Sequence, residues 1–391
     1  MKEYSAIVLA AGEGSRLRPL TRHRPKPMLP AATKPILEYV FDELIEAGIT
    51  DLTLVVGYGK ERVQSHFGPT YRNVPIRYVT QGKQLGSGHA LLAAAEVVDG
   101  PCLVVNGDQL VDRQIVRDVI AGHGDADATL GLIRRRDVSE YGGVLLDDDD
   151  AVIEIVERPR DDRNYLLNAG VYALEPHVFE TIRAAEPRAG EHSLIDGLSR
   201  LIDADRTITG VVSEGVWVDA TYPWDLLELT GTLFEHGFVD ADRVARSAQI
   251  HETATIVSPV VIADDAVVGP GAVIGPKTCL GENVTVGANA VIERSVVDTD
   301  TRLGAAVTLR DCVTGRGVRL GSGSTVVGGP ADVQVEDAIH RERSLGAVIA
   351  DRVTDEGGVT YAPGAVVGSS ATVHAGSTVR GTIDEATEVR G

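Results

Sequence analysis

Cysteine is scarce in this sequence. Cys102, Cys279 and Cys312 are the only ones among 391 residues. Because their number is odd and their spacing wide, they fit neither a disulfide framework nor a zinc cluster. We expect them to be small core residues.

A long apolar run is also missing. No stretch approaches the ~20 consecutive apolar residues that a membrane helix needs. The start, Met1-Lys2-Glu3-Tyr4-Ser5, leads directly into a strand-like apolar run and has no signal-peptide anatomy. We therefore predict a cytoplasmic protein with no membrane partner.

Positive charge is limited, and lysine contributes little of it. The chain has 57 acidic and 37 basic side chains, which gives a formal net charge of −20. The lysines are Lys2, Lys26, Lys34, Lys60, Lys83 and Lys277. Such a surface repels nucleic acid and anionic membranes, so no nucleic-acid partner is expected. Because an acidic, lysine-poor surface also suits a salt-rich cytoplasm, we hypothesise a halophilic source.

The first ~235 residues alternate strand-like and helix-like segments, which is typical of α/β proteins. Buried strands are indicated at 6–9, 52–56 and 103–105, and helices at 35–47 and 90–98. This order predicts an α/β domain over 1–236 with a mostly parallel central sheet and a ligand site at the carboxyl ends of its strands. We interpret the acidic run 147–150 as a solvated hairpin turn and not as a metal site.

From residue 248 onward, apolar residues recur at every sixth position. They are Ile250, Ile256, Ile262, Val268, Ile274, Leu280, Val286 and Ile292, then, after a one-residue slip, Val297, Leu303 and Leu309, and later Val367, Val373 and Val379. This period indicates a parallel β-helix, whereas a sandwich of alternating strands would show period two. The sequence thus predicts a linker over 237–247 and a β-helix over 248–391. The period is lost between 328 and 347, where we expect a loop excursion or an irregular coil.

The loop after the first strand has the features of an anion site. A buried strand runs into Gly12-Glu13-Gly14, where backbone N–H groups can turn toward an anion without Cβ clashes. Arg16 offers a planar fork for phosphate oxygens, and Lys26 offers a mobile point charge. The loop has neither the third glycine of a dinucleotide site nor the Gly-Lys-Ser/Thr ending of a P-loop.

The longer string is much more specific. Ala10-Ala11-Gly12-Glu13-Gly14-Ser15-Arg16-Leu17, followed by Pro19, Thr21 and Pro25-Lys26-Pro27-Met28-Leu29-Pro30, closely resembles the signature of sugar-1-phosphate nucleotidyltransferases. That family includes glucose-1-phosphate thymidylyltransferases and N-acetylglucosamine-1-phosphate uridylyltransferases, and its catalytic domain is Rossmann-like. The resemblance implies that Arg16 and Lys26 are catalytic and hold the triphosphate. It also implies a nucleotide-binding set: Leu9, Ala11, Gly12, Gly14, Ser15, Gln81, Gly86 and Ser87.

Downstream segments resemble the same family in the same order. Gln81 to Ala90 is similar to its base-reading segment, in which Gln81 and Gly86 would pair with a pyrimidine. Asp108, after the strand Val104-Val105-Asn106, and Asp219, in Trp217-Val218-Asp219, correspond to the family's Mg²⁺ ligands, and a hard ion with oxygen ligands suits a triphosphate. The implied sugar-phosphate set is Gly142, Glu157, Arg158 and Asn168. Arg158 replaces the family's lysine, which keeps the charge but changes its reach.

The repeat region resembles left-handed β-helix hexapeptide-repeat domains, which are usually trimeric. The combined resemblance implies transfer of a nucleotidyl group from UTP or dTTP to a sugar 1-phosphate. One alternative is a bifunctional enzyme that also acetylates an amino-sugar phosphate from acetyl-CoA. Its His-x-x-Tyr-like motif is missing, because His251, His340 and His374 have no tyrosine three residues on, so we favour a scaffold role. A regulatory subunit without activity is the other alternative, against which Arg16, Lys26, Asp108 and Asp219 argue.

Overall fold

The computed structural model describes residues 4–136, 138–187 and 190–390, so the first three residues of the predicted non-signal start lie outside the described part. The chain divides into two compact units. The α/β unit contains residues up to Glu13, Pro25–Met28 and Ile36–Val218, and the β-helix unit contains Gly14–Arg24, Leu29–Pro35 and the residues from Asp219 onward. The domain limits at 236 and 247 stay predictions.

The first part of the chain alternates strands and helices as predicted. Its strands are β1 (Ser5–Ala10), β2 (Pro30–Ala31), β3 (Lys34–Pro35), β4 (Leu52–Val56), β5 (Thr70–Tyr71), β6 (Val74–Thr80), β7 (Cys102–Asn106), β8 (Gln109–Val111), β9 (Ala128–Ile133), β10 (Gly142–Leu146), β11 (Val152–Glu157), β12 (Leu166–Leu174), β13 (Ile208–Ser213) and β14 (Trp217–Asp219). Its helices are α1 (Ile36–Glu46), α2 (Lys60–Phe67), α3 (Ser87–Ala94), α4 (Arg113–Gly122), α5 (Val178–Ala184), α6 (Leu194–Asp203) and α7 (Asp225–Glu235), with 3₁₀ turns at Ser15–Leu17, Lys26–Met28 and Val138–Glu140.

The central sheet of the α/β unit has a parallel core with antiparallel flanks. Strands β7, β1, β4 and β6 lie side by side and run parallel, and β9 pairs in parallel with β13. Strand β12 pairs antiparallel with β7, and β10 and β11 continue that edge as a hairpin. The acidic run 147–150 forms the turn of this hairpin, so the predicted turn is confirmed.

The strand order of the central sheet changes direction beside β1. The chain proceeds from β1 to β4 and β6 on one side and then crosses to β7 on the other side. The strand order therefore reverses between β1 and β7, and α/β proteins bind ligands at the carboxyl ends of strands at such a switch point. A hydrogen bond from the Gly107 N–H to the Leu9 carbonyl, 2.9 Å long, joins the two strand ends.

The β-helix unit is built from short strands. They are β15 (Asp242–Val244), β16 (Gln249–Ile250), β17 (Thr255–Ile256), β18 (Val260–Ile262), β19 (Val267–Val268), β20 (Val273–Ile274), β21 (Thr278–Leu280), β22 (Thr285–Val286), β23 (Val291–Glu293), β24 (Val296–Val297), β25 (Arg302–Leu303), β26 (Thr308–Arg310), β27 (Cys312–Thr314), β28 (Arg319–Leu320), β29 (Thr325–Val326), β30 (Pro330–Val335), β31 (Ala338–Ser344), β32 (Ala347–Ile349), β33 (Thr354–Asp355), β34 (Thr360–Tyr361), β35 (Ala365–Val367), β36 (Thr372–Val373), β37 (Thr378–Val379), β38 (Thr382–Ile383) and β39 (Glu388–Val389).

Apart from β30 and β31, these strands join three parallel sheets in rotation. Within residues 242–390 the sheets contain eight, eight and seven strands. Every residue of the predicted six-residue period lies in one of the strands, and Ile262, Ile274 and Ile292 are fully buried in the core between the sheets. The predicted β-helix is confirmed, and its all-parallel strands fit the left-handed hexapeptide type.

The break in the period is an ordered hairpin. Strands β30 and β31 pair antiparallel and leave the coil between β29 and β32. The structure thus favours a loop excursion over an irregular coil. We call residues Pro330–Ser344 the strap hairpin.

The three cysteines lie in the core of the protein. Cys102, Cys279 and Cys312 are buried free thiols, as predicted, and burial raises the pKa of Cys102 to about 12.

None of the helices in residues 4–136, 138–187 and 190–390 has the length and apolar character needed to cross a bilayer.

Candidate active site

The loop after β1 is held by its neighbours in the α/β unit. The Ala11 carbonyl accepts hydrogen bonds from the Tyr58 N–H at 3.3 Å and from the Gln84 side chain at 3.1 Å. A Cβ on Gly57 would lie 2.7 Å from that carbonyl oxygen, so the close approach requires glycine. A Cβ on Gly12 would meet no atom within 4 Å, which leaves open space where this loop begins. Gln84 is a contributor that the sequence analysis missed.

A cation and a carboxylate meet at the end of β7. The Lys26 Nζ lies 2.8 Å from the Asp108 Oδ2. The Lys26 side chain is 10% exposed and that of Asp108 34%, so the pair faces solvent mainly through the carboxylate. Lys26 begins a 3₁₀ turn whose residues Pro27 and Met28 are buried, and this turn fixes the base of the lysine side chain. The structure brings together two residues that the sequence separates widely.

The predicted base-reading segment is a braced loop leading into α3. The Gln81 amide nitrogen donates to the Gly86 carbonyl at 3.1 Å and contacts the His89 Nδ1 at 3.0 Å. Gln81 is buried and its backbone N–H donates to the Val56 carbonyl at the end of β4. The segment therefore has a fixed shape, and His89 packs within it.

Residues 192–194 support this segment from the other side. The His192 carbonyl accepts hydrogen bonds from the N–H groups of Gly88 and His89, at 2.8 and 3.2 Å. A Cβ on Gly86, whose φ is +95°, would lie 2.7 Å from the same oxygen. The Ser87 hydroxyl oxygen accepts the Leu194 N–H at 3.1 Å, so this residue of the predicted nucleotide set has a structural contact. No motif in the sequence pointed to His192.

Three residues of the predicted sugar-phosphate set lie together. Gly142 and Glu157 are paired across β10 and β11. A Cβ on Gly142 would be 3.5 Å from the Asn168 Cβ and 3.8 Å from the Glu157 Oε1. Arg158 follows β11 with a left-handed φ of +50°, and its N–H donates to the Tyr141 carbonyl at 2.8 Å. This cluster places the Glu157 carboxylate, the Asn168 amide and the Gly142 backbone, which carries no side chain, at one sheet edge.

The carboxyl group of Glu157 has a raised pKa. Loss of hydration is the main cause, the Arg158 charge lowers the pKa, and the Asp196 charge raises it. Asp196, on α6, is a nearby charge that the sequence analysis did not single out.

Gly170 permits the backbone conformation next to Asn168. Its φ is +69°, and a Cβ there would overlap the Asn106 side chain and lie 2.6 Å from the Gln109 Oε1. The Gly170 N–H donates to the Asn168 Oδ1 at 3.1 Å, which orients the Asn168 amide. The irregular register of β12 between Asn168 and Tyr172 thus has a local cause.

The remaining predicted site residues belong to the β-helix unit. Gly14 adopts a left-handed conformation, with φ 69° and ψ 49°, and precedes the 3₁₀ turn Ser15–Leu17. The Thr21 hydroxyl donates to the Gly14 carbonyl at 2.8 Å and closes this loop. The Arg16 guanidinium lies 5.8 Å from the centre of the Tyr222 ring. We call residues Gly14–Arg24 the signature loop; these contacts within the β-helix unit support its conformation.

Asp219 lies at the end of β14. The Thr221 hydroxyl donates a hydrogen bond to its carboxylate. Nearby, burial raises the pKa of Asp225 to about 7, the Tyr222 N–H lowers it, and the Asp219 charge raises it further. Asp108 and Asp219, the two predicted metal ligands, fall in different units.

Sequence comparison decides the family. A sequence model described as nucleotidyl transferase matches residues 5–234, which is more than half of the chain. The chain belongs to the nucleotidyl transferase family. A second model, described as GMPPB C-terminal domain, matches residues 256–383.

Individual relatives agree with this nucleotidyl transferase assignment. The bifunctional protein GlmU of Methanococcus vannielii is 38% identical over 229 residues, covering 57% of this chain and 53% of that relative. The chain thus spans about half the length of this curated relative. The bifunctional protein GlmU of Methanococcus aeolicus is 30% identical over 400 residues and is 95% covered. The UTP–glucose-1-phosphate uridylyltransferase AglF of Haloferax volcanii is 34% identical over 224 residues, covering 56% of this chain and 92% of that relative.

A solved structure shares the nucleotidyl transferase fold. The crystal structure of a UDP-glucose pyrophosphorylase complexed with UDP-glucose superimposes with a TM-score of 0.55 at 23% identity. It covers 60% of this chain and 100% of its own. At this identity the likeness supports the fold alone.

Proposed function

We propose that the protein transfers a nucleotidyl group from a pyrimidine nucleoside triphosphate, UTP or dTTP, to a sugar 1-phosphate, giving a nucleotide sugar and pyrophosphate. The observation that carries this proposal is the Lys26–Asp108 pair at the end of β7, beside the loop after β1. The pair consists of a lysine ammonium and a carboxylate of the kind that binds Mg²⁺. At the switch point of an α/β sheet, such a pair suits a triphosphate. The name of the Haloferax relative supports the reaction class.

Positioning and electrostatics would supply the catalysis. A phosphate oxygen of the sugar phosphate attacks the α-phosphorus in line, and pyrophosphate leaves from the opposite side. Because both reactants are anions, Arg16 and Lys26 offset their repulsion and the charge that develops on the leaving group. The backbone of Leu9, Ala11, Gly12, Gly14 and Ser15 would cradle the triphosphate, and the open space at Gly12 suits that role. No covalent intermediate is needed.

Asp108 and Asp219 would hold Mg²⁺. Both side chains offer the carboxylate oxygens that this ion prefers, and Asp108 is exposed enough for a hydrated ion to reach it. A bound Mg²⁺ would neutralise phosphate charge and fix the triphosphate geometry. Lys26 would remain beside Asp108 and balance the carboxylate before substrate binds.

The base and the sugar would be read by rigid groups. Gln81 and Gly86 face a pyrimidine in this proposal, held in shape by His89 and the His192 carbonyl. Ser87 would contribute mainly through its position at the start of α3. On the sugar side, Glu157 and Asn168 would bind hydroxyl groups, Gly142 would leave room for the ring, and Arg158 would hold the sugar phosphate.

Replacement of Glu157 by glutamine tests the sugar site. Loss of a charged hydrogen-bond acceptor should raise KM for the sugar 1-phosphate about 10-fold or more, with a smaller effect on KM for the nucleotide. Steady-state pyrophosphate release measures both constants. The matched control is Glu154→Gln on the same strand, where the carboxylate pairs with Arg163 in an exposed ion pair and little change is expected. Equal effects of both variants would contradict the assignment.

A substrate panel tests the reaction itself. Pyrophosphate release should be measured with Mg²⁺ for UTP, dTTP, ATP, GTP and CTP against glucose, glucosamine, N-acetylglucosamine and galactose 1-phosphates. We expect turnover with UTP or dTTP and at least one of these sugars. The thymine methyl contributes only about 1 kcal/mol of apolar contact, so modest discrimination between UTP and dTTP is expected. If no substrate pair releases pyrophosphate, the proposed enzymatic function is wrong and the regulatory-subunit alternative is favoured.

The β-helix unit would serve as a scaffold for a homotrimer in this proposal. A second activity is a further candidate, because the likeness to the GlmU of Methanococcus aeolicus extends over 97% of this chain and that relative is named bifunctional. The same assays should therefore include acetyl-CoA with glucosamine 1-phosphate. Release of free CoA by the full chain would establish acetyl transfer. Cytoplasmic residence and a halophilic source stay predictions.

A further inference from the structure

We propose that the strap hairpin is an autoinhibitory element. Its acidic tip binds the signature loop and must be displaced by the nucleotide. This inference rests on the proposed function, because it takes Ser15 and Arg16 as triphosphate ligands. All the contacts that carry it lie within the β-helix unit, to which Gly14–Arg24 belongs.

The direct contact is a hydrogen bond at the signature loop. The Ser15 hydroxyl donates to the Glu336 Oε1 at 2.8 Å. Glu336 lies at the tip of the hairpin, between β30 and β31, with a left-handed φ of +52°, and Asp337 follows it. A carboxylate offers a hydroxyl donor the same kind of anionic oxygen acceptor that a phosphate does. The tip thus holds a donor that the triphosphate would use.

Charge makes simultaneous occupancy unfavourable. A nucleoside triphosphate brings several negative charges to the loop that Glu336 contacts. Like charges at hydrogen-bond distance repel, and the repulsion grows as water is excluded. Binding of the nucleotide should therefore require the tip to move away. An open groove of about 560 Å³, lined partly by Ser15, Gln334, Glu336 and Glu385, gives the tip room to shift.

The base of the hairpin is fixed, so only its outer part needs to move. Val333 is buried, and a Cβ on Gly364 would lie 2.8 Å from the Ala331 Cβ, which shows how closely the hairpin base packs on the coil. In contrast, the Ile339 side chain near the tip is 66% exposed. A hairpin with an anchored base and a solvated tip can swing without unfolding the β-helix.

An aromatic stack links the hairpin to Arg16. Tyr222 and Trp224 are stacked, with ring centres 4.7 Å apart and planes at 13°. His340 of the hairpin contacts both rings, at 4.4 and 5.2 Å, and Arg343 lies over Trp224 at 5.5 Å. Because Arg16 lies over Tyr222, the hairpin and the catalytic arginine share one support. A shift of the tip that alters the contact of His340 with these rings would change the surroundings of both Arg16 and Trp224.

Removal of the acidic tip tests the proposal by kinetics. Glu336→Ala should lower KM for UTP or dTTP about 3- to 10-fold with kcat nearly unchanged, as expected when a closed state that excludes the nucleotide is depopulated. Glu336→Gln, which keeps an acceptor but loses the charge, should give a smaller decrease. Glu342→Gln, on β31 of the same hairpin, is the matched control and should leave KM unchanged.

Fluorescence gives a readout that does not depend on turnover. The chain has two tryptophans, and Trp217→Phe leaves Trp224 as the reporter. Saturating UTP or dTTP should change Trp224 emission as the displaced tip alters the contact between His340 and Trp224, and the change should be reduced in Glu336→Ala. If Trp217→Phe does not fold, the same comparison is made between wild type and Glu336→Ala with both tryptophans present.

The outcomes separate this inference from the proposed function. If wild type turns over no substrate pair, the proposed function fails and the hairpin has no triphosphate to exclude. If wild type is active but Glu336→Ala has an unchanged or raised KM, the autoinhibitory role is wrong and the function stands. A 10-fold loss of kcat in Glu336→Ala would mean that the hairpin supports the loop and does not block it.

Discussion

Replacement of Asp108 by asparagine is expected to lower kcat by on the order of 10³-fold, or about 4 kcal/mol in the activation free energy. The amide removes the negative charge that would hold Mg²⁺ and that lies 2.8 Å from the Lys26 ammonium. Pyrophosphate release at saturating substrates measures the effect. The fold should survive, because the Asp108 side chain is partly exposed at the end of β7.

Two comparisons make this result interpretable. Asp99→Asn, an isosteric change at an exposed position before β7, should leave kcat near the wild-type value. Thermal unfolding of Asp108→Asn should match wild type within a few degrees, which would assign the loss to the site. Near-normal activity of Asp108→Asn would mean that the metal ligand has been misplaced.

Replacement of Arg24 by alanine is expected to lower the free energy of unfolding by about 3–5 kcal/mol. The Arg24 side chain is 1% exposed, and its guanidinium lies 2.6 Å from the Asp298 Oδ2 and 3.6 Å from the Asp351 Oδ1. Both carboxylates are themselves almost fully buried. Without Arg24 they keep their backbone hydrogen bonds, from Thr299 and Arg316, but lose their main counter-charge. Urea unfolding monitored by circular dichroism measures the change.

The same substitution should also reduce activity. Arg24 lies between Arg16 and Lys26 in the chain and ties the signature loop to the coil of the β-helix unit, so its loss should loosen the triphosphate ligands. Arg22→Ala is the matched control two positions earlier. Its ion pair with Glu385 is about half exposed, and removal should cost about 1 kcal/mol or less. Equal stability of Arg24→Ala and Arg22→Ala would show that the buried pairs contribute no net stability.

The sequence predicted some local features of the candidate site that the structure also shows. Gly14 is left-handed as a phosphate-type turn requires, and Lys26 and Asp108 meet although 82 positions separate them in the numbering. What the sequence could not specify is the support around them: Gln84 on the Ala11 carbonyl and His192 on the base-reading segment. These contacts use common polar groups with no characteristic spacing.

The contacts of Arg24 and Glu336 could not be predicted from sequence patterns. Arg24 looks like one more surface cation in a basic stretch, and only the structure shows it buried against Asp298 and Asp351. Glu336 lies where the six-residue period fails, so the pattern offered a loop with no role. Long-range ion pairs leave no periodic trace, because one side chain and one partner satisfy them.

By itself the sequence determined the two architectures and the chemical type of the loop after β1. Periodicity is a property of one strand or coil and its immediate neighbours, so buried positions at every sixth residue are enough to predict a β-helix. Only the tertiary structure decided that the signature loop from Gly14 to Arg24 packs with the β-helix and meets an acidic hairpin there. The physical reason is that such packing depends on which distant surfaces can pair charge and bury rings, and neither is encoded in local spacing.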